Sequence, residues 1–138
     1  MWFKSNEAKE RLLKSIIIGF DQHGWILEDW VILDNHYHLL GNAPDDSHNL
    51  PEMMKNIHES SSSEKIMYNY WDTCITYEAS YFARLNYIWS NPVKHGYTNS
   101  AEEWVYGSYF KKVEKDKEEL EEIIKKYPCD TVRIKDDF

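Results

Sequence analysis

Cysteine is scarce in this sequence, with Cys74 and Cys129 the two thiols among 138 residues. They lie far apart and form no C-x-x-C pair, so neither a disulfide framework nor a thiolate zinc site is expected. No apolar run approaches the roughly 20 residues that span a bilayer, and the N-terminal residues lack the form of a signal peptide. We therefore expect a cytoplasmic protein with no membrane partner.

Basic side chains are also in deficit, because 16 Lys and Arg stand against 24 Asp and Glu, for a net charge of −8. This balance argues against a broadly basic nucleic-acid-binding surface. The acidic excess lies at the two ends, whereas residues 55–112 carry 6 basic and 6 acidic groups. Aromatic residues make up 15% of the chain, and such rings can hold single-stranded nucleic acid by stacking on its bases. A single-stranded partner therefore stays compatible with the composition.

The hydrophobic pattern predicts a mixture of helices and strands. Apolar residues recur at helical spacing in some segments and cluster with β-branched and aromatic residues in others. The predicted helices cover residues 5–20, 50–59, 76–90 and 111–126, the strands 25–33, 36–40 and 68–75, the loops 41–49 and 60–63, and a short aromatic helix or turn 101–110. Asn91-Pro92 should end the third helix, since a residue before proline avoids the helical region. We expect one α+β domain over residues 1–138, with 113–138 a charged C-terminal helix and tail.

Two histidines, His36 and His38, lie two residues apart on the predicted second strand. Alternate side chains of a strand share a face, so both imidazoles can point the same way and chelate a metal ion. Tyr37 then points to the opposite face, toward the core. The alternative is a pair of exposed or hydrogen-bonded histidines without a metal, and an isolated H-x-H pattern favours this alternative.

Tyr87 and Asn91 lie four residues apart at the end of the predicted third helix. That spacing places both on one helix face, where a phenol and an amide oxygen can reach the same metal-bound phosphate. Taken alone, the two residues are more typical of a core tyrosine and of an asparagine that precedes a turn proline. Together with the histidine pair they form a coherent set for phosphodiester attack, in which a metal stabilises charge and the phenol oxygen forms a covalent intermediate.

These motifs resemble those of the HUH single-tyrosine transposases, and most closely the REP-associated tyrosine transposases. Asn-His-Tyr-His-Leu-Leu at residues 35–40 is similar to the N-H-x-H-L-L motif of that family. Tyr-Ile-x-x-Asn-Pro-Val-Lys-His-Gly at residues 87–96 looks like its second half, as do residues 70–76 and the closing Asp-Asp-Phe. The resemblance covers the chain from about residue 5 to the C-terminus.

The resemblance implies a ferredoxin-like antiparallel sheet with helices packed on it. It also implies metal-dependent cleavage and joining of single-stranded DNA beside hairpins, with Mg²⁺ or Mn²⁺ as the ion. Tyr87 would form a 5′-phosphotyrosine link and leave a free 3′-hydroxyl. His36, His38 and Asn91 would be the metal ligands. Because family members usually have a strand before the first helix, we expect this chain to lack that first strand.

Four further residues near the motif are candidates for contacts with DNA. Arg84, Lys94 and His95 flank the site and could touch phosphates, with solvated surface charges as the alternative for each. Trp89 could stack on bases. His58 is expected at the surface, away from the metal site.

Three functions are open at this point. The first is an active transposase-type nuclease, working as a monomer or a homodimer. The second is a truncated, catalytically inactive relic that binds DNA hairpins, which the missing strand favours. The third is a metal-dependent hydrolase of small phosphoesters, with water as nucleophile. A covalent protein–DNA adduct that depends on Tyr87 separates the first function from the other two.

Overall fold

A computed structural model describes residues 3–44, 49–61 and 78–127 of the chain. The chain divides into two compact units, Met1–Asn69 and Tyr70–Phe138. The first unit contains α1 (Asn6–Gln22), β1 (Ile26–Ile32), β2 (Tyr37–Asn42) and α2 (Leu50–Ser61). The second unit contains α3 (Glu78–Lys94), a 3-10 helix (Ala101–Glu103) and α4 (Tyr109–Lys126). The predicted α+β class with an antiparallel sheet is confirmed, and the described residues contribute two strands to that sheet.

Caps at both ends determine where α1 begins and ends. The Ser5 hydroxyl accepts a hydrogen bond from the Ala8 backbone N–H at 3.0 Å, which satisfies one orphan donor of the first turn. At the other end Gly24 has a φ of +76°, and the Trp25 N–H donates to the Phe20 carbonyl at 2.9 Å. Such a Schellman ending favours glycine, which has no Cβ to clash at positive φ. The helix therefore runs to 22, two residues beyond its predicted end.

α1 packs closely on α2 within the first unit. Leu12 of α1 and Ile57 of α2 are fully buried. At Gly19 the helices approach so closely that an added Cβ would lie 2.6 Å from Cγ1 of Ile57. Because that side chain is branched and buried, a larger residue at this position would push the helices apart. α2 ends at Ser61, so the start of the predicted loop 60–63 is helical.

β1 and β2 form the predicted antiparallel hairpin. The Leu33 N–H donates to the His36 carbonyl at 2.8 Å and closes the two-residue turn between them. Pairing continues from that turn to a β-bulge at Glu28, where β1 carries one extra residue. β2 begins at Tyr37, so His36 lies just outside the strand that was predicted to include it.

The two faces of the hairpin have different surroundings. The Tyr37 ring meets Phe3 at a centroid distance of 6.0 Å, and a Cβ added at Gly41 would lie 2.7 Å from the Phe20 ring of α1. We call this side of the hairpin the helix face. Because successive residues of a strand alternate, His38 lies on the opposite side, which we call the histidine face.

α3 continues through the predicted stop at Asn91-Pro92. It runs to Lys94 with Pro92 inside its last turn, so that prediction is wrong. Proline removes one backbone donor but has a helical φ, and only a short stretch of helix follows it. The helix is terminated instead by the turn at Gly96, where φ is +77° and the Tyr97 N–H donates to the Pro92 carbonyl at 2.9 Å. This is the same Schellman ending that terminates α1.

α4 packs on α3 within the second unit. The Asn86 amide of α3 donates to the carbonyls of Ile124 at 3.2 Å and Tyr127 at 2.9 Å, and so caps the C-terminal end of α4. The Phe82 ring stacks on the Tyr127 ring with centroids 4.8 Å apart. α4 begins at Tyr109, two residues before the predicted start. These contacts fix the side of α3 that faces α4.

Some predictions lie outside the described residues. They are the strand at 68–75, the second half of the serine loop, both cysteines and the closing Asp-Asp-Phe. None of the described helices is long and apolar enough to cross a membrane. The prediction of one domain over residues 1–138 stays a prediction.

Candidate functional site

The two predicted histidine ligands lie side by side at the tip of the hairpin. Their ring centroids are 5.3 Å apart and their planes are inclined by 83°. With metal–nitrogen bonds of about 2.1 Å, two imidazoles that share one ion have centroids about 5 Å apart. The separation of the His36 and His38 rings is therefore compatible with a shared ion, and their role as metal ligands stays a prediction.

A hydrogen bond with Asn35 orients the first imidazole. Nδ1 of His36 lies 2.6 Å from Oδ1 of Asn35. An amide oxygen accepts only, so Nδ1 carries the proton and Nε2 carries the lone pair. Metal-binding histidines commonly hold their second nitrogen in such a bond. The donor set of the pair therefore fits a divalent metal ion.

The residue between the two histidines is held from the helix face. The Tyr37 hydroxyl is hydrogen-bonded to Nε2 of His58 in α2, and the two rings meet edge-to-face at 6.0 Å. His58 is buried, so the prediction that it lies at the surface is wrong. Burial lowers the pKa of the His58 imidazole below its ordinary value. A neutral imidazole can then accept the hydrogen bond of the Tyr37 hydroxyl.

A buried ion pair holds the turn that precedes the histidines. Nζ of Lys9 lies 2.8 Å from Oδ1 of Asp34, and it also donates to the carbonyls of Phe3 at 2.6 Å and Lys4 at 3.0 Å. Lys9 is 2% exposed, and these three acceptors match the three hydrogens of its ammonium group. The Phe3 N–H donates to the Asp34 carbonyl at 2.8 Å. The turn is therefore fixed through both its backbone and a side chain.

Sequence reasoning missed these two contacts. Lys9 precedes Leu12 by three residues, so it lies on the buried stripe of α1. His58 follows Ile57 and lies one turn after Met54 on the buried side of α2. A polar residue inside an apolar stripe is the signal that could have pointed to a buried, paired group.

Tyr87 and Asn91 lie on one face of α3, one turn apart. Tyr87 is half-buried. Asn91 is completely buried, and among the described residues neither its amide nitrogen nor its amide oxygen has a hydrogen-bond partner. A buried amide of this kind costs free energy unless a ligand or an ion satisfies it. The assignment of Asn91 as the third metal ligand stays a prediction.

Positive side chains lie before and after Tyr87 on the same helix. Nζ of Lys94, two turns later, lies 5.4 Å from the centre of the Tyr87 ring, within range of a cation–π contact. Arg84 lies one turn earlier, and its Nε donates to the Ser80 hydroxyl at 3.2 Å. His95 is exposed. The phenol thus has a cation on each side along the helix.

Trp89 does not lie with these residues. Its ring is 3% exposed and packs on Tyr109 of α4 at a centroid distance of 5.4 Å. Two residues along a helix is a rotation of about 200°, so Trp89 points away from the face of Tyr87. The prediction that Trp89 stacks on DNA bases is therefore corrected, because the ring belongs to the core of the second unit.

The candidate site has two halves, each described within its own unit. The histidine half is His36 and His38, and the tyrosine half is Tyr87, Asn91 and Lys94. Within the described ranges, no three His, Cys, Asp or Glu side chains cluster as a metal site. That the two halves share one ion and one phosphate stays a prediction.

No family model matches the sequence, but a curated protein is similar to part of it. The chain is 24% identical over 89 residues to the REP-associated tyrosine transposase of Escherichia coli (strain K12). That alignment covers 61% of the chain and 54% of the relative, so it spans about half the length of the curated relative.

A solved structure gives the wider match. The REP-associated tyrosine transposase bound to a REP hairpin is similar with a TM-score of 0.71 and 22% identity, over 94% of this chain and 76% of that chain. At this identity the likeness shows the fold. The chain therefore has the fold of a REP-associated tyrosine transposase, and its resemblance to the HUH tyrosine transposases is confirmed.

Proposed function

We propose that this chain is a metal-dependent transposase that cuts and joins single-stranded DNA beside hairpins through a covalent bond to Tyr87. The observation that carries this proposal is the tyrosine half. There a half-buried phenol lies one helical turn from Asn91, a buried amide without a partner among the described residues. The fold likeness to a transposase bound to a REP hairpin supports hairpin DNA as the substrate.

His36, His38 and Asn91 are the proposed ligands of Mg²⁺ or Mn²⁺. Two imidazole nitrogens and one amide oxygen leave coordination positions for water and for a phosphate oxygen. When bound, the ion would polarise the phosphoryl group and offset the charge that develops in the transition state.

Tyr87 is the proposed nucleophile. Its phenol oxygen attacks the phosphorus, the bond between phosphorus and the 3′ oxygen breaks, and a 5′-phosphotyrosine and a free 3′-hydroxyl result. The phenol proton passes to solvent and the leaving 3′ oxygen takes one up, so the step is balanced in protons. Attack by a 3′-hydroxyl on the phosphotyrosine reverses the step and joins DNA.

Arg84, Lys94 and His95 are the proposed contacts to DNA phosphates. A chain of net charge −8 has little long-range attraction for DNA. Binding must then rely on these local cations and on the shape of the hairpin. We expect a shallow dependence of affinity on salt, equivalent to about two or three neutralised phosphates.

The test is the covalent adduct. The chain is incubated with a labelled hairpin-containing single strand and MnCl₂, and the protein mass is measured under denaturing conditions. We expect a shift by the mass of the attached strand, absent in Tyr87→Phe and present in Tyr81→Phe, which alters another half-buried tyrosine of α3.

Two other outcomes would replace the proposal. Hairpin binding by the wild type without an adduct would indicate a catalytically inactive hairpin-binding protein. Hydrolysis of small phosphoesters that survives Tyr87→Phe would indicate a hydrolase with water as its nucleophile. Sedimentation of the active species would show whether it is a monomer or a homodimer.

A further inference from the structure

We propose that Lys9, Asp34, Tyr37 and His58 form a support that holds the histidine pair in chelating geometry before an ion binds. We call these four residues the turn anchor. They are positioning residues, which act through the hairpin backbone rather than on metal or DNA. The inference rests on the proposed function, because it concerns the ion that the histidine half would hold.

A hairpin tip is a poor place for metal ligands unless other elements hold it. An isolated two-stranded hairpin is marginally stable in water, and strand ends open more readily than strand centres. His36 lies outside β2, next to a two-residue turn. Ligands that coordinate well must be held to within about 0.5 Å. The histidine half therefore needs support from outside the hairpin.

The Lys9–Asp34 contact supplies this support from α1. Asp34 lies two residues before His36, and its carboxylate is 2.8 Å from the ammonium group of Lys9. That ammonium group also donates to two backbone carbonyls, so a displacement of the turn would leave a buried charge without its partner. The Phe3 N–H holds the Asp34 carbonyl as well. Movement of the turn relative to α1 is thereby opposed.

The Tyr37–His58 contact supplies support from α2. Tyr37 lies between the two ligand histidines, and its side chain points to the helix face. Because strand residues alternate, holding Tyr37 on one face fixes the direction in which the His38 imidazole projects from the other. His36 precedes Tyr37 directly, so the same contact also restrains its backbone. The Tyr37 ring also meets Phe3 on the helix face. A rotation of β2 about its own axis would break these contacts.

The two contacts tie the hairpin tip to two different helices. Those helices are themselves packed at Gly19 and Ile57 with almost no space between them. Asp34 lies two residues before His36 and Tyr37 one residue after it, so the chain is restrained on both sides of the less supported ligand. Contacts on the helix face thus hold the ring centroids of His36 and His38 at their separation of 5.3 Å.

The test measures Mn²⁺ affinity without DNA, by titrating MnCl₂ and following free Mn²⁺ by electron paramagnetic resonance. Tyr37→Phe keeps the ring and removes the hydroxyl, and Lys9→Met keeps the chain length and removes the charge. We expect each variant to lose about tenfold to 100-fold in affinity, as changes behind metal ligands usually do. Tyr97→Phe and Lys117→Met are the matched controls in the second unit, and they should bind as the wild type does.

A second measurement separates positioning from stability and from the proposed function. Histidine-selective NMR of the metal-free protein reports the ring order of His36 and His38, which should fall in Tyr37→Phe even where circular dichroism shows a folded chain. If the wild type binds no Mn²⁺, the proposed metal site is wrong. The ring order of His36 and His38 in the metal-free variants then still tests whether the turn anchor positions them. Unchanged affinity and ring order in the folded variants, whatever their stability, would overturn the turn anchor. If Lys9→Met does not fold, Tyr37→Phe decides.

Discussion

The two halves of the candidate site hold their residues by different physical means. On α3, the backbone hydrogen bonds of a 17-residue helix set the spacing of Tyr87 and Asn91. On the hairpin, His36 and His38 depend on a short turn whose place is set by residues far away in the sequence, Lys9 above all. The helical half should therefore tolerate changes around it, whereas the hairpin half should be sensitive to remote ones.

The largest expected effect on stability is that of removing the buried ammonium group. Lys9→Met leaves Asp34 and two carbonyls without their donor, and we expect a loss of about 3 kcal/mol in the free energy of unfolding. This is the lower end for a buried pair, since the Asp34 side chain keeps 19% exposure to water. Urea denaturation followed by circular dichroism measures the loss.

The matched change is Lys117→Met in α4. Lys117 pairs with Glu102 at 3.6 Å, and the side chains are 56% and 45% exposed. Such a surface pair is worth less than about 1 kcal/mol. Equal losses in the two variants would mean that the Lys9 contact is no more important than a surface pair, and the contrast between the halves would disappear.

Two asparagines of α3 give the next effect in size, with opposite signs. Asn91→Leu removes a buried amide that has no hydrogen-bond partner among the described residues, so metal-free stability should rise by about 1–2 kcal/mol. Asn86→Leu removes the amide that caps α4, so stability should fall by a similar amount. Both are measured in urea with a chelator present.

Mn²⁺ affinity and stability, measured together on Asn91→Leu, test whether Asn91 is a metal ligand. A residue that lowers stability in the absence of metal but supplies a ligand should lose Mn²⁺ affinity as it gains stability. If Asn91→Leu is destabilising in the chelated protein, its amide is satisfied by the protein itself, and the third-ligand assignment loses its physical basis.

Local patterns predicted most of the described elements. The apolar stripe of α1, the hairpin and the charged helix α4 follow from periodicities that neighbouring residues set by themselves. The spacing of Tyr87 and Asn91 is equally local, because helix geometry fixes it. The proximity of His36 and His38 follows from their separation of two residues, whereas the position of the turn that carries them depends on distant residues. Sequence spacing can predict these two residue pairs of the site.

The wrong predictions concern helix ends and side-chain burial that depend on tertiary contacts or on residues later in the chain. Pro92 was expected to end α3, but the Schellman ending at Gly96 sets the end one turn later. Trp89 and His58 were expected to face DNA and solvent, but partners from α4 and β2 bury them. The partner of each side chain lies far away in the sequence, so spacing could not identify it, although the apolar stripe of α2 marks the position of His58 as a buried one.

The smallest effect concerns pH and belongs to the first unit. Burial lowers the pKa of the His58 imidazole below its ordinary 6.5, so below pH 6.5 the unfolded chain takes up a proton that the folded protein resists. Stability is therefore full above pH 6.5 and falls as pH drops toward the lowered pKa, by less than about 1.4 kcal/mol per pH unit. Urea denaturation of the wild type and of His58→Gln between pH 5 and 8 measures the part of this pH dependence that comes from His58.

In His58→Gln the side chain stays neutral and can still bond the Tyr37 hydroxyl, so only the proton uptake is removed. The control variant is His95→Gln, which removes an exposed imidazole of the second unit. If both variants keep the acid-side slope of the wild type, His58 is not the group that opposes protonation. The Tyr37–His58 hydrogen bond would then help to position the histidine pair without contributing to the pH dependence of stability.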